Sequence, residues 1–221
     1  MPLVAPLPKA ALAAIITLVA ISLVSVPELK LLWRLDRQEF WLAALTAVAV
    51  LVVGVIAGIA VVVIISLLLV VRRAATPLAA ELVQVPGTHS YQSREAAPDG
   101  STVPGMVLWR FDGPLFFANV AVFRAGIDQA IDAADPQPTV FVIDAESIYD
   151  LDSTAVRALL ELIDELGARG IRIWLARVKS NVRDYLATGG IIAELGPGSV
   201  FLEVGDAVDA FRALAEAPDP S

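Results

Sequence analysis

Residues 139–170, TVFVIDAESIYDLDSTAVRALLELIDELGARG, decide how this chain folds. They open on a β-branched and aromatic run, 139–143, that Asp144 brings to an end. Hydrophobicity that is continuous, not alternating, predicts a strand buried on both faces. A loop crowded with acids follows, and Asp152-Ser153-Thr154 then signals a helix start, with Gly167 or Gly170 as the stop. In that helix Val156, Leu159, Leu160, Ile163 and Leu166 form the predicted core stripe. Glu161, Asp164 and Glu165 fall on the solvated face, which offers no pocket for acid–base work.

On the far side, residues 171–176 predict a further strand, 181–188 a short helix ended by Gly189-Gly190, and 200–202 a last strand. Asp206 is the expected cap of a helix running to about 215, and 218–221 the expected disordered tail. On the near side, 106–111 predicts a strand, Asp112-Gly113-Pro114 a turn, and 115–117 a second strand closing a hairpin, with Phe116 and Phe117 expected in the core and an interface with the membrane segments as the alternative. Asn119 then caps a helix through about 134. Strands alternating with helices require crossover connections, so 105–217 predicts an α/β domain with a mostly parallel sheet after its opening hairpin. Residues 76–104, with four prolines and the polar stretch HSYQSREAAPDGST, read as a linker.

The 57% apolar content exceeds the roughly 45–50% of ordinary soluble proteins, and the excess is local. Residues 1–75 carry six basic and three acidic side chains; the remainder carries ten and twenty-one. An apolar, net-basic front joined to an acidic back predicts a membrane region followed by a soluble domain. The acidic back excludes nucleic acid as a partner, because phosphate binding needs a basic surface. With no cysteine, disulfides and thiolate metal sites are excluded, and the single histidine, His89, sits in the expected linker. No phosphate-cradling glycine loop, Ser/His/Asp set or metal-ligand spacing is present, so no enzyme, cofactor or metal is expected.

Residues 10–26 are an uncharged run near the lower limit of a spanning helix, about 17–25 residues. Residues 40–71 hold 32 residues without a charge, ~48 Å as one helix against a hydrocarbon core of roughly 30 Å. Lys30, Arg34 and Arg37 precede that run and Arg72-Arg73 follow it, so both ends are expected on the cytoplasmic side. The run should turn back near Gly54 and Gly58, a G-x-x-x-G that also permits close helix contact. Three apolar segments result, at about 10–26, 40–54 and 57–71, with the start of the chain outside and Arg72 and Arg73 as topology anchors. None contains an ionisable group of the kind that marks an ion pathway, so they read as scaffold.

Three segments of the soluble part, GPLFFAN at 113–119, VFVIDAESIYDLDSTA at 140–155 and IRIWLARV at 171–178, resemble a STAS domain, the module shared by sulfate transporters and bacterial anti-anti-sigma factors. The front, with residues 9–26, the DRQEF at 36–40 and Gly54 to Gly58, is similar to the closing membrane stretch of the SulP (sulfate permease) transporters. The resemblance implies an integral protein of the plasma or inner membrane, in a usually dimeric family that moves sulfate, bicarbonate or related inorganic anions. It implies a cytoplasmic STAS domain acting in assembly and regulation. Family members have about fourteen membrane segments and hold the anion between half-helices in earlier ones. This chain is therefore expected to be a closing portion that does not transport alone, with lipid, the remaining transporter segments or a homodimer partner, and a cytoplasmic regulatory protein as partners. The alternative is a membrane-tethered STAS regulator of the anti-anti-sigma type.

By the same resemblance, Asp152-Ser153-Thr154 aligns with a stretch whose third residue is phosphorylated in anti-anti-sigma factors, here Thr154. A helix N-terminus does favour phosphate. Against it, Asp144, Glu146, Asp150 and Asp152 crowd the loop, and Ala155 stands where those domains have glycine. The residues themselves favour Asp152 as a helix cap and the first turn as a partner-contact surface.

Overall fold

The computed structural model describes residues 9–22 and 25–216. Two compact units, Met1–Leu69 and Val70–Ser221, divide within one helix. In the first unit, α1 (Lys9–Ser22), α2 (Val26–Leu35), α3 (Arg37–Val53) and α4 (Val55–Ala75) follow one another. The expected tail at 218–221 lies outside the described residues.

Two details differ from the sequence reading. A short charged helix, α2, occupies the stretch before the long apolar run, with Pro27 in its first turn where a missing N–H costs nothing. The break in the run is the single residue Gly54, at φ 94°, instead of a five-residue turn. Only glycine adopts that conformation without strain. The two helices flanking it are 17 and 21 residues long and run past the outer ends of the expected segments 40–54 and 57–71. Val55–Ala75 is long and apolar enough to cross a membrane. Gly58 is buried, and a Cβ there would stand 2.7 Å from the Val50 backbone, so α3 and α4 approach at Gly58, while a Cβ at Gly54 would meet nothing within 4 Å.

The second unit is a six-stranded sheet ordered β2-β1-β3-β4-β5-β6. Its strands are β1 (Leu78–Gln84), β2 (Tyr91–Ser93), β3 (Met106–Asp112), β4 (Val140–Asp144), β5 (Arg172–Ala176) and β6 (Val200–Phe201). From β3 onward every pair is parallel, and β1 pairs antiparallel with both β2 and β3. The connections are α5 (Val120–Asp132), α6 (Ser153–Ala168), α7 (Ser180–Thr188) and α8 (Ile191–Leu195), and α9 (Val204–Glu216) ends the unit. Alternate residues feed two cores. Trp109, Phe111, Phe141, Ile143, Ile173 and Leu175 pack with α5, α6, α7 and α8; Leu108, Val140, Val142, Trp174 and Ala176 pack with α9. Both faces of β4 are covered, which is why 139–143 shows no alternation.

The expected linker at 76–104 is largely structure. It supplies β1 and β2, and Leu82 and Val83 are buried. Proline content misled because the prolines flank the strands and leave their hydrogen-bonding positions free. The expected hairpin is also replaced: β3 pairs with β1, while Leu115 makes one parallel bridge to Leu151. In α6 the buried set is Ala155, Ala158, Leu159, Leu162 and Leu166, while Val156, Leu160 and Ile163 are half-buried. Asp206 lies inside the first turn of α9, its carboxylate accepting from the Glu203 amide, so it caps from within and not from before the helix.

Replacing Leu82 with Ala should lower the unfolding free energy by about 2–5 kcal/mol, as for other buried leucines. Urea unfolding of the detergent-held chain measures this. A change within about 0.5 kcal/mol, as at exposed positions, would return 76–104 to the status of a linker.

Candidate functional site: the carboxyl edge of the sheet

The parallel register sets Arg110, two residues before the end of β3, against Asp144, the last residue of β4, and Asp144 against Ala176, the last of β5. Asp144 is buried, only 1% exposed. A carboxylate in that position is costly unless paired. It is paired twice. Arg110 Nε donates to Oδ2 at 2.7 Å, and Arg177 donates through Nε to Oδ1 at 3.0 Å and through Nη2 to Oδ2 at 2.5 Å. Both guanidinium groups also reach Glu146, Arg177 at 2.8 Å and Arg110 at 3.5 Å. Two cations and two anions thus close one compensated cluster across three neighbouring strands. Arg177 takes a φ of 55° to join it. Burial acts to lower the Arg177 pKa, but the Asp144 hydrogen bonds and charge, then Glu146 and Glu203, outweigh it and hold the value above the ordinary range.

The loop that leaves Asp144 leads to the start of α6. Asp152 is its N-cap: Oδ1 accepts from the Ala155 amide at 2.8 Å, as the residues favoured. Its second oxygen has a task the sequence did not show, accepting from the Phe117 amide at 2.9 Å. The segment 113–119 is fastened to the same loop by the Leu115 amide to Asp150 and the Asp152 amide to Leu115. Asn119 is fully buried, and instead of capping α5 its side chain ties this segment to itself and to the last turn of α4. Its Oδ1 accepts from Phe116 N, and its Nδ2 donates to the carbonyls of Pro114 and Ala74.

Ser153 and Thr154 are exposed in the first turn of α6. Phe117 is 70% exposed, against the expectation that both phenylalanines are core, and Phe116 is half-buried beside it. Tyr149 is also exposed, its carbonyl held by Asn181. The result is a rigidly hung surface with aromatic and hydroxyl side chains facing out. Asp144 takes no part in the loop's surface charge, because it is buried and neutralised; Glu146, Asp150 and Asp152 remain there.

The other singled-out residues lie elsewhere. Glu161 and Glu165 are exposed on α6 and pair with Arg124 of α5, whose pKa is raised chiefly by the Glu165 hydrogen bond. Asp164 is exposed on the same helix. His89 is exposed on the rim of an open groove of about 560 Å³ with Tyr91, Arg177, Glu203, Asp206 and Asp209. Burial raises the Tyr91 pKa there. Among the described residues, no group of three His, Cys, Asp or Glu is gathered to hold a metal ion. Arg72 and Arg73 are exposed in the last turn of α4. The Arg110–Asp144–Arg177 cluster escaped the sequence reading; its signal is an acid at the end of a buried strand with one arginine within the preceding strand and another just after the following one.

Comparison with known proteins gives this fold its class. The chain belongs to the STAS domain family, matched over residues 97–207. Residues 1–46 match the sulfate permease family. A probable sulfate transporter of Mycobacterium tuberculosis (strain H37Rv) is 38% identical over 95% of this chain. The chloroplastic sulfate transporter 4.1 of Arabidopsis thaliana is 30% identical over 91%. The chain spans only 38% and 31% of the lengths of these relatives. Among solved structures, the murine solute carrier 26 family member A9 anion transporter has a TM-score of 0.78 at 23% identity, covering 94% of this chain and 34% of that one. That likeness is one of fold, and it embraces the helical front as well as the STAS domain.

Asp152→Ala should lower the unfolding free energy by about 1–2 kcal/mol, because the carboxylate serves two amides, while Asp152→Asn retains most of that stability. Urea unfolding of both variants checks the cap. An Asp152→Ala loss below about 0.3 kcal/mol would contradict the double role.

Proposed function

We propose that this chain serves the transport of sulfate or a related inorganic anion across a membrane, contributing closing membrane helices and a STAS domain. The observation that carries the reading is the 38% identity to one sulfate transporter, continuous over 95% of the chain and spanning both units in the same order. α4 and the apolar segments before it form membrane scaffold. Arg72 and Arg73 anchor the end of α4 on the cytoplasmic side, a charge pattern that supports a cytoplasmic STAS domain, and the membrane is the plasma or inner membrane. The domain works as an assembly and regulatory module, in a homodimer or with further transporter segments, and performs no chemistry. The surface of Phe117, Tyr149, Ser153 and Thr154 is its contact face, and Thr154 acts there without phosphorylation, since Asp150 and Glu146 oppose an added dianion.

A chimera tests this: the corresponding closing part of the mycobacterial relative is replaced by this chain and uptake of radiolabelled sulfate is followed in vesicles. Saturable uptake, with an unmodified Thr154 peptide by mass spectrometry of the same material, is the expected result. A chimera that inserts at normal levels yet carries no anion would overturn the transport reading, and a phosphorylated Thr154 would overturn the account of the contact face.

A further inference from the structure

The junction between α2 and α3 carries a feature that the transport reading leaves unused. α2 has ten residues, ~15 Å at about 1.5 Å each, half of what a roughly 30 Å hydrocarbon core requires. It is two-sided. Lys30 and Arg34, four apart, share one face, while Leu29, Leu32 and Trp33 share another. Asp36, in extended conformation, ends α2 and caps α3 by accepting from the Gln38 amide at 2.8 Å. Three aromatic rings meet at this corner. Trp33 stands edge-on to Phe40, centroids 4.9 Å apart, and to Trp41 at 6.5 Å, and Phe40 meets Trp41 at 5.8 Å. The Arg37 guanidinium lies 5.3 Å from the Trp33 ring centroid.

These rings sit where the uncharged run of α3 begins, yet Trp33 is 43% and Trp41 63% exposed. Water gives two fixed, exposed indoles beside an apolar helix no favourable environment. The boundary between headgroups and acyl chains does, because it accepts an amphipathic ring with its polar edge toward water. A short two-sided helix with tryptophan and leucine on one side and basic groups on the other is the form that lies in that plane. The charges around it, Lys30, Arg34 and Arg37 against Glu28, Asp36 and Glu39, cancel. Attraction to anionic lipid is therefore not its driving force.

We propose that α2 and the Trp33–Phe40–Trp41 cluster form an in-plane anchor seated at the headgroup–acyl boundary of a phospholipid bilayer, setting the depth at which α3 enters. The aromatic and apolar side chains carry the contact, and the anchor holds equally on zwitterionic and anionic lipid. This rests on the reading of the front unit as membrane-embedded, and the experiment separates the two.

The chain's other two tryptophans, Trp109 and Trp174, are buried in the sheet unit, so fluorescence lost to lipid quenchers comes from the corner. The full chain is reconstituted in phosphatidylcholine vesicles with bromines placed either near the headgroup end or near the methyl end of the acyl chains. Trp33→Phe and Trp41→Phe variants assign the signal, and Val63→Trp, at an exposed position within α4, reports on the bilayer interior. The shallow label should quench Trp33 and Trp41 and the deep label neither, unchanged when phosphatidylglycerol is included. Deep quenching at Val63→Trp with Trp33 untouched by either label would overturn the anchor while leaving the membrane reading intact. A Val63→Trp indole that no label reaches would overturn both. Quenching of Trp33 only in the presence of anionic lipid would overturn the charge-neutral mode of contact.

Discussion

The sheet unit depends on how one buried carboxylate is compensated. Asp144 ends the central strand, is shielded from water, and carries a charge that would cost several kcal/mol if left alone. Arg110 and Arg177, from the strands on either side, neutralise it, and Glu146 balances the second guanidinium. Such a cluster is weak evidence for added stability, since a well-packed apolar replacement is often as stable. Its effect is geometric. It locks β3 to the ends of β4 and β5 and therefore fixes where the loops leaving β4 and β5 begin, and Arg177 accepts an unfavourable backbone conformation to take part.

From that fixed edge the outward-facing surface follows by ordinary hydrogen bonding. Asp152 holds the first turn of α6 and the Phe117 amide with one carboxylate, and Asn119 ties the segment 113–119 together from inside. Phe117, Tyr149, Ser153 and Thr154 are thus displayed on a frame that has few ways to move.

Local signals in the chain foretold what local physics governs. The continuous apolar run at 139–143 gave β4 and its burial, and Asp152 gave the cap of α6, because neither depends on distant residues. What escaped was non-local. The pairing of β1 with β3 joins segments on either side of a proline-rich stretch, and composition cannot distinguish a strand flanked by prolines from a linker. The Arg110–Asp144–Arg177 cluster exists only once three strands are in register. Phe117 seemed core by residue type, but the strand expected around it is reduced to a single bridge at Leu115, and Phe117 stands exposed. In the front unit, α2 lies among charged residues between two uncharged runs, and only the i, i+3, i+4 spacing of Leu29, Leu32 and Trp33 marks it.

Hydrogen exchange in the Asp144→Asn variant of the full chain tests most directly whether this carboxylate organises the edge. Exchange should quicken at the amides of 145–152, at Phe117 and in the first turn of α6, while β1 and α9 keep their protection. Unchanged exchange around 145–152, or an even rise across the whole sheet unit, would contradict the claim that Asp144 positions this surface.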